Sequence, residues 1–155
     1  MRKRNRGIAF GALALLWIVL LFYLSGMDST SSGSLSLWVT QRFFGWMTRF
    51  GLSLAALHAF VRKLAHFGVF FIEGFFVFEA FSAFLSRGKA LFMSLLLCAG
   101  LAVANELHQT TAVGRACSPV DMLIDFSGSA ICALIACAGS AWIAKHRRGQ
   151  GADIA

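Results

Sequence analysis

The amino-acid sequence predicts an all-α polytopic membrane protein, with about four transmembrane helices, an interfacial amphipathic helix and both termini in the cytoplasm. Three observations carry that expectation. Of 155 residues, 58% are hydrophobic and only 14% charged, against roughly 45–50% apolar and 25% charged in an average soluble domain. The apolar residues fall into long runs, as a hydrocarbon layer about 30 Å thick requires. The basic residues behind the net charge of +7 gather at the ends of those runs, where they orient a membrane protein rather than bind nucleic acid. The length allows a single domain, residues 1–155.

The first run, 8–24, is uncharged and follows Arg2, Lys3, Arg4 and Arg6. It reads as an anchor and not a cleaved signal, because the following YLSGMDSTSSGS has no A-x-A-like small-residue site. Residues 35–60 mix Gln41, Arg42 and Arg49 with Trp38, Phe43, Phe44, Trp46 and Phe50. Rings interleaved with arginine suit the headgroup region, so an interfacial helix is expected there. The second span, 64–85, holds eight phenylalanines between Phe67 and Phe84, but also His66, Glu73 and Glu79. The third, 90–106, ends at Asn105 and Glu106, and the fourth, 120–144, is interrupted only by Asp125. Between them lies a polar connector with Gly114 and with Pro119, placed as the first-turn proline of the last helix.

Small residues on the fourth span (Gly128, Ser129, Ala133, Gly139) and on the third (Ala99, Gly100, Ala102, Ala104) predict that these two helices approach closely. The phenylalanine-rich span is then left to fill gaps or face lipid. The four cysteines, Cys98, Cys117, Cys132 and Cys137, follow no disulfide or zinc spacing and read as packing residues.

Four spans put both termini on one side. The N-terminus, the 86–89 loop and the C-terminal tail carry nine Lys and Arg, whereas the other face carries Arg42, Arg49, Arg62, Lys63 and Arg115. The positive-inside rule therefore assigns the termini to the cytoplasm and gathers Arg62, Lys63, His66, Glu106, Arg115, Asp121 and Asp125 at the outer face. Arg62, His66 and Glu73 run along one side of a helix, as do Asp121, Asp125 and Gly128, and Glu106 with Gln109.

Charge at membrane depth is costly and either pairs or lines a wet cavity. Two arrangements follow. Arg62, Lys63 and Arg115 can pair with Glu106, Asp121 and Asp125 and lock the helices together. Alternatively, the three cations bind an anionic phosphate or carboxylate, with Gln109, Asp121 and Asp125 in the same site and Glu106 and His66 as acid and base. No cofactor is expected; a divalent cation on the carboxylates and His66 is an alternative, though the spacing matches no metal motif and no metal ligand is assigned. Cys117 with His108 is a weaker nucleophile–base pair, His58 and His146 read as interfacial, Glu79 as a packing or snorkelling group, and Glu73 has no assigned role.

VRKLAHFGVFF (61–71) and NELHQTTAVGRACSPVDMLIDFSG (105–128) resemble the VanZ-like family of small bacterial membrane proteins, whose pattern is K-x-x-H, then E-x-x-Q, G-R and D-x-x-x-D/N-x-x-G. Lys63 and His66 match the first element; Glu106, Gln109, Gly114, Arg115, Asp121, Asp125 and Gly128 match the rest. One departure is that many members carry Glu-Tyr shortly after the histidine, where this chain has Gly68, Val69, Phe70 and Phe71. The resemblance implies a multi-pass protein of the bacterial cytoplasmic (inner) membrane, in a family whose namesake is linked to resistance to teicoplanin. It implies no settled mechanism.

Three functions are open on these grounds. The first is an envelope protein that contributes to glycopeptide resistance by binding or remodelling an anionic ligand, such as a membrane lipid, a lipid-linked cell-wall intermediate or a lipoglycopeptide. The second is a membrane hydrolase or transferase acting on an anionic envelope lipid. The third is a non-catalytic scaffold or subunit. Nucleotide hydrolysis, dinucleotide chemistry and H-E-x-x-H proteolysis lack their motifs, and no nucleic-acid partner is expected.

Overall fold

The structure is a computed structural model describing residues 2–27 and 29–152, with the side chains of Arg2, of 29–32 and of 147–152 outside the description. Of the charges counted for orientation, the side chains of Arg2, Arg147 and Arg148 thus lie outside the described residues. Five α-helices follow in order: α1 (Arg2–Ser25), α2 (Ser29–Val39), α3 (Leu54–Ser82), α4 (Arg87–Gln109) and α5 (Pro119–Ala152). A π-helical turn (Thr40–Phe44) and a 3-10 turn (Gly45–Phe50) connect α2 to α3. The chain is an all-α, multi-pass membrane protein: α1, α3, α4 and α5 to His146 are long and apolar enough to cross a bilayer. Even the 23 residues of α4 reach about 35 Å at a rise of about 1.5 Å per residue.

The interfacial segment differs from its expected form. Only its first part stands apart from the spans; Gly51, at φ +85°, ends the 3-10 turn in the left-handed conformation. Ser53 then caps α3, its hydroxyl accepting from the Ala56 N–H at 3.2 Å. The helix that carries the second span therefore starts at Leu54, ahead of the span expected from 64. The aromatic residues before the break keep an outward face: Trp38, Phe43, Trp46 and Phe50 are exposed and stack edge-on in pairs, with Arg42 over the Phe43 ring.

α3 is the central helix; its Phe70 and Phe78 fill the interior, while Phe75 stays exposed. The helix contacts α1, α4 and α5, and its closest neighbour is α5. Two glycines make that approach possible: a Cβ on Gly74 would lie 2.7 Å from Ser129 Cα, and one on Gly128 would overlap the Phe67 carbonyl oxygen and sit 3.2 Å from the Phe71 nitrogen. Gly128 and Ser129 thus serve the α3–α5 contact, beside the expected packing of α4 on α5, while a Cβ on Gly100 or Gly139 would meet nothing within 4 Å. Three buried clusters stack along the bundle, each joining an α3 residue to a small α4 residue: Val77 with Cys98 and Ala14, Phe70 with Ala102 and Leu21, Phe78 with Ala90 and Ala133. Cys98 and Cys132 are buried packing residues, whereas Cys117 is exposed.

α1 is peripheral, with Leu15, Leu16 and Val19 about two-thirds exposed, as a lipid-facing side requires. It is nevertheless tied to the bundle, since Trp17 Nε1 donates to the Val69 carbonyl at 2.9 Å and Arg6 pairs with Glu79. Glu79 is therefore the packing partner expected of it. Arg6→Ala should lower stability by about 1–2 kcal/mol, because a buried carboxylate loses its charged donor while the half-exposed arginine limits the loss. The thermal unfolding midpoint in detergent measures this, and Glu79→Ala added to Arg6→Ala should cost little more.

Candidate functional site

The site forms where the α3–α5 and α4–α5 contacts meet the loop between α4 and α5. His66 comes from α3, Asn105, Glu106 and Gln109 from the last turns of α4, Arg115 from the loop, and Asp125 from the second turn of α5. Helical spacing presents Asn105, Glu106 and Gln109 to the interior, where all three are buried. Gly114, at φ +75°, reverses the loop so that Arg115 returns over Gln109; the guanidinium donates to Gln109 Oε1 at 3.0 Å.

Asp125 is fully buried and occupies both oxygens: Oδ1 lies 3.2 Å from His66 Nδ1, and Oδ2 accepts from Asn105 Nδ2 at 3.1 Å. Glu106, also fully buried, accepts at Oε2 from the Ser118 N–H at 2.9 Å. Ser118 is the residue before Pro119, and its own hydroxyl accepts from the Asp121 N–H. Glu106 thus holds the positive end of the α5 dipole against α4, where an anion is favoured. Its Oε1 has no partner among the described residues, and neither has Asn105 Oδ1. One atom each of His66, Glu106 and Asp125 falls within 4.8 Å of the other two.

Below this layer the Ser129 hydroxyl sits 3.0 Å from both Glu73 Oε2 and the Phe70 carbonyl, and 3.4 Å from the Asp125 carbonyl. One hydroxyl proton serves one of these acceptors at a time. Glu73 is thereby linked to the Asp125 turn through Ser129 and not by joining His66.

A cavity of about 270 Å³ opens beside the site. Leu21 and Leu24 of α1, Leu35 and Val39 of α2, and Val61 and Phe70 of α3 give it an apolar body. Arg62, His66, Asn105 and Arg115, with Ser25 and Ser36, are its polar lining residues. The volume is near the lower end of the roughly 300–1,000 Å³ usual for ligand pockets.

The structure does not make the expected charge pairs. Among the described residues, no cation of Arg62, Lys63 and Arg115 is in ion-pair contact with Glu106, Asp121 or Asp125; the contacts formed are His66 with Asp125 and Arg6 with Glu79. Arg62 and Arg115 instead share the cavity wall. Burial, and then the charge of Arg62, lower the Arg115 pKa, opposed by Glu106, but a guanidinium stays charged at any physiological pH. Lys63 is exposed and does not line the cavity, and Asp121 stays half-buried at the first turn of α5, outside the His66–Glu106–Asp125 group. His108 turns to α1, packing edge-on against Phe22 with Nδ1 3.5 Å from Ser25 Oγ, so it does not serve as a base for Cys117. His58 joins the interfacial segment to α3 through Ser36 at 2.7 Å.

Asn105 and Ser129 are the site residues that sequence reasoning missed. Asn105 had one signal, its place beside Glu106 at the end of a span. Ser129 had none, since a serine among small residues reads as packing.

A family model described as VanZ/LLP1 matches residues 10–142, a range that contains the whole site. No curated protein and no solved structure matches the chain.

Proposed function

This chain belongs to the VanZ/LLP1 family, and from that premise we propose that it binds an anionic, lipid-linked ligand, with the charged head on Arg62 and Arg115 and the first part of the chain in the neighbouring cavity. One observation carries the reading. Two arginines, Arg62 and Arg115, line a largely apolar cavity without a carboxylate in ion-pair contact, among the described residues. Their repulsion and desolvation are relieved by an anion, and guanidiniums suit phosphate or carboxylate because they offer forked donors. The cavity holds a head-proximal stretch of chain, and the rest continues into the bilayer.

The test is direct. The purified protein in nanodiscs should retain a long-chain prenyl phosphate or phosphatidylglycerol in native mass spectrometry, and should prefer either over an uncharged diacylglycerol. Equal retention of the uncharged lipid would remove the anionic-head reading.

The charge distribution supports an outward-facing site in the bacterial cytoplasmic membrane. Exposed Cys117, in the α4–α5 loop, reports this. A membrane-impermeant maleimide should label Cys117 in intact spheroplasts, and Cys117→Ser should abolish that label. Labelling only after permeabilisation would reverse the orientation. A ligand of this class is consistent with a contribution to teicoplanin resistance, which susceptibility of a deletion strain with and without the restored gene measures.

The His66–Asp125 contact favours a second reading, a hydrolase or transferase. A carboxylate on Nδ1 fixes the tautomer and leaves Nε2 to act as a base. Release of phosphate or head group from the same lipids, lost in His66→Gln, would distinguish it from binding alone.

A further inference from the structure

We propose that His66, Glu106 and Asp125 form a binding site for one borderline divalent metal ion, of the zinc class, held between α3, α4 and α5. The donor set is one imidazole nitrogen and two carboxylates, each from a different helix, with the three donor atoms within 4.8 Å of one another. His66 Nδ1 and Asp125 Oδ1 are 3.2 Å apart. Two donors about 2 Å from a tetrahedral ion are separated by about 3.3 Å, so this pair already has the spacing of adjacent ligands. The third donor, a Glu106 carboxylate oxygen, lies within 4.8 Å of both.

An independent observation points to a missing ligand. Glu106 is fully buried, one of its oxygens is taken by the Ser118 N–H, and Oε1 has no partner among the described residues. A buried carboxylate oxygen without a donor is costly. A metal ion supplies what is lacking, and its two positive charges balance the two carboxylates beside a neutral imidazole. Asn105, donating to Asp125 Oδ2, then acts as the outer hydrogen-bond partner that orients a ligating carboxylate.

Imidazole with two carboxylates selects a borderline ion such as Zn²⁺ over Mg²⁺ or Ca²⁺, which take shells of oxygen and water. Three protein ligands leave a coordination position open, the arrangement of catalytic and ligand-binding zinc sites and not of closed structural ones. His66 lines the cavity wall with Arg62 and Arg115, so an ion there adds a third positive element beside the anion site. The proposal rests on protein ligands alone and is tested without added lipid, so it stands or falls separately from the lipid-binding reading.

The experiment is equilibrium dialysis of the untagged, detergent-purified full chain against ZnCl₂ with excess MgCl₂, with bound metal measured by inductively coupled plasma mass spectrometry. One equivalent of zinc per chain is expected, with a raised thermal unfolding midpoint. Glu106→Gln keeps an acceptor for the Ser118 N–H and Asp125→Asn keeps the side-chain shape, so both preserve the helix contacts. Each should weaken zinc binding by about 100-fold and abolish the thermal shift. Cys117→Ser and His146→Ala should bind as the wild type does. Far less than one equivalent in the wild type, unchanged binding in both Glu106→Gln and Asp125→Asn, or loss of binding in Cys117→Ser would each overturn the proposal.

Discussion

Arg115→Ala should weaken retention of an anionic lipid by about 10- to 100-fold, and the Arg62→Ala, Arg115→Ala double variant should bind no better than an uncharged lipid does. The magnitude follows from losing a charge-assisted hydrogen bond to a poorly solvated anion, about 1.5–3 kcal/mol, at about 1.4 kcal/mol per factor of ten. Arg115 is the more sensitive position, because it is anchored on Gln109 and reaches the wall from the loop. Arg62→Lys should recover part of the affinity and Arg115→Lys less, since an ammonium replaces charge without the forked donors. Lys63→Ala is the matched control: Lys63 is exposed and outside the cavity wall, so its removal should change binding less than twofold. Native mass spectrometry in nanodiscs provides the affinities. Equal effects from Lys63 and Arg115 would mean that general surface charge, and not the cavity wall, attracts the lipid.

Gly74→Ala and Gly128→Ala should both be strongly destabilising single-methyl additions. Each new Cβ would meet backbone of the facing helix, Ser129 for Gly74 and Phe67 for Gly128, and backbone yields only if α3 and α5 separate. Overpacking of this kind costs about 1–3 kcal/mol, and more when a helix must move. Gly100→Ala and Gly139→Ala meet open space and should leave stability unchanged or slightly higher. The thermal midpoint in detergent separates the two pairs. The same displacement should disturb the site, because His66 and Asp125 face each other across the α3–α5 contact. Gly128→Ala should therefore reduce lipid retention, while Gly100→Ala should not.

The contrast between these glycines shows where sequence reading stops. All four lie in apolar helices and look alike as small residues; the last two spans do pack together as expected, with Ala90 and Ala133 in one buried cluster, but Gly74 and Gly128 serve the α3–α5 contact. Which glycine touches a neighbour depends on the rotation of each helix about its axis, and that is decided by the partner. The interfacial segment shows the same limit on a local scale. Gly51 in the left-handed conformation and Ser53 capping the next helix settle that the chain breaks there and that α3 begins with residues assigned to the interface.

Sequence by itself determined the four spans, the aromatic and arginine-rich segment between the first two, and the collection of His66, Glu106, Gln109, Arg115 and Asp125 at one end of the bundle. These are consequences of hydropathy, charge and helical repeat, which act along the chain and need no knowledge of neighbours. Only the tertiary structure decided that α3 is central, that Asp125 takes His66 and Asn105, that Glu106 holds the Ser118 N–H, and that Arg62 and Arg115 stand on a cavity wall instead of pairing with the carboxylates. The physical reason is range. Burial in a bilayer is specified residue by residue, whereas an ion pair or a glycine contact needs two helices at one height and one rotation, fixed by packing between segments as far apart in sequence as His66 and Asp125.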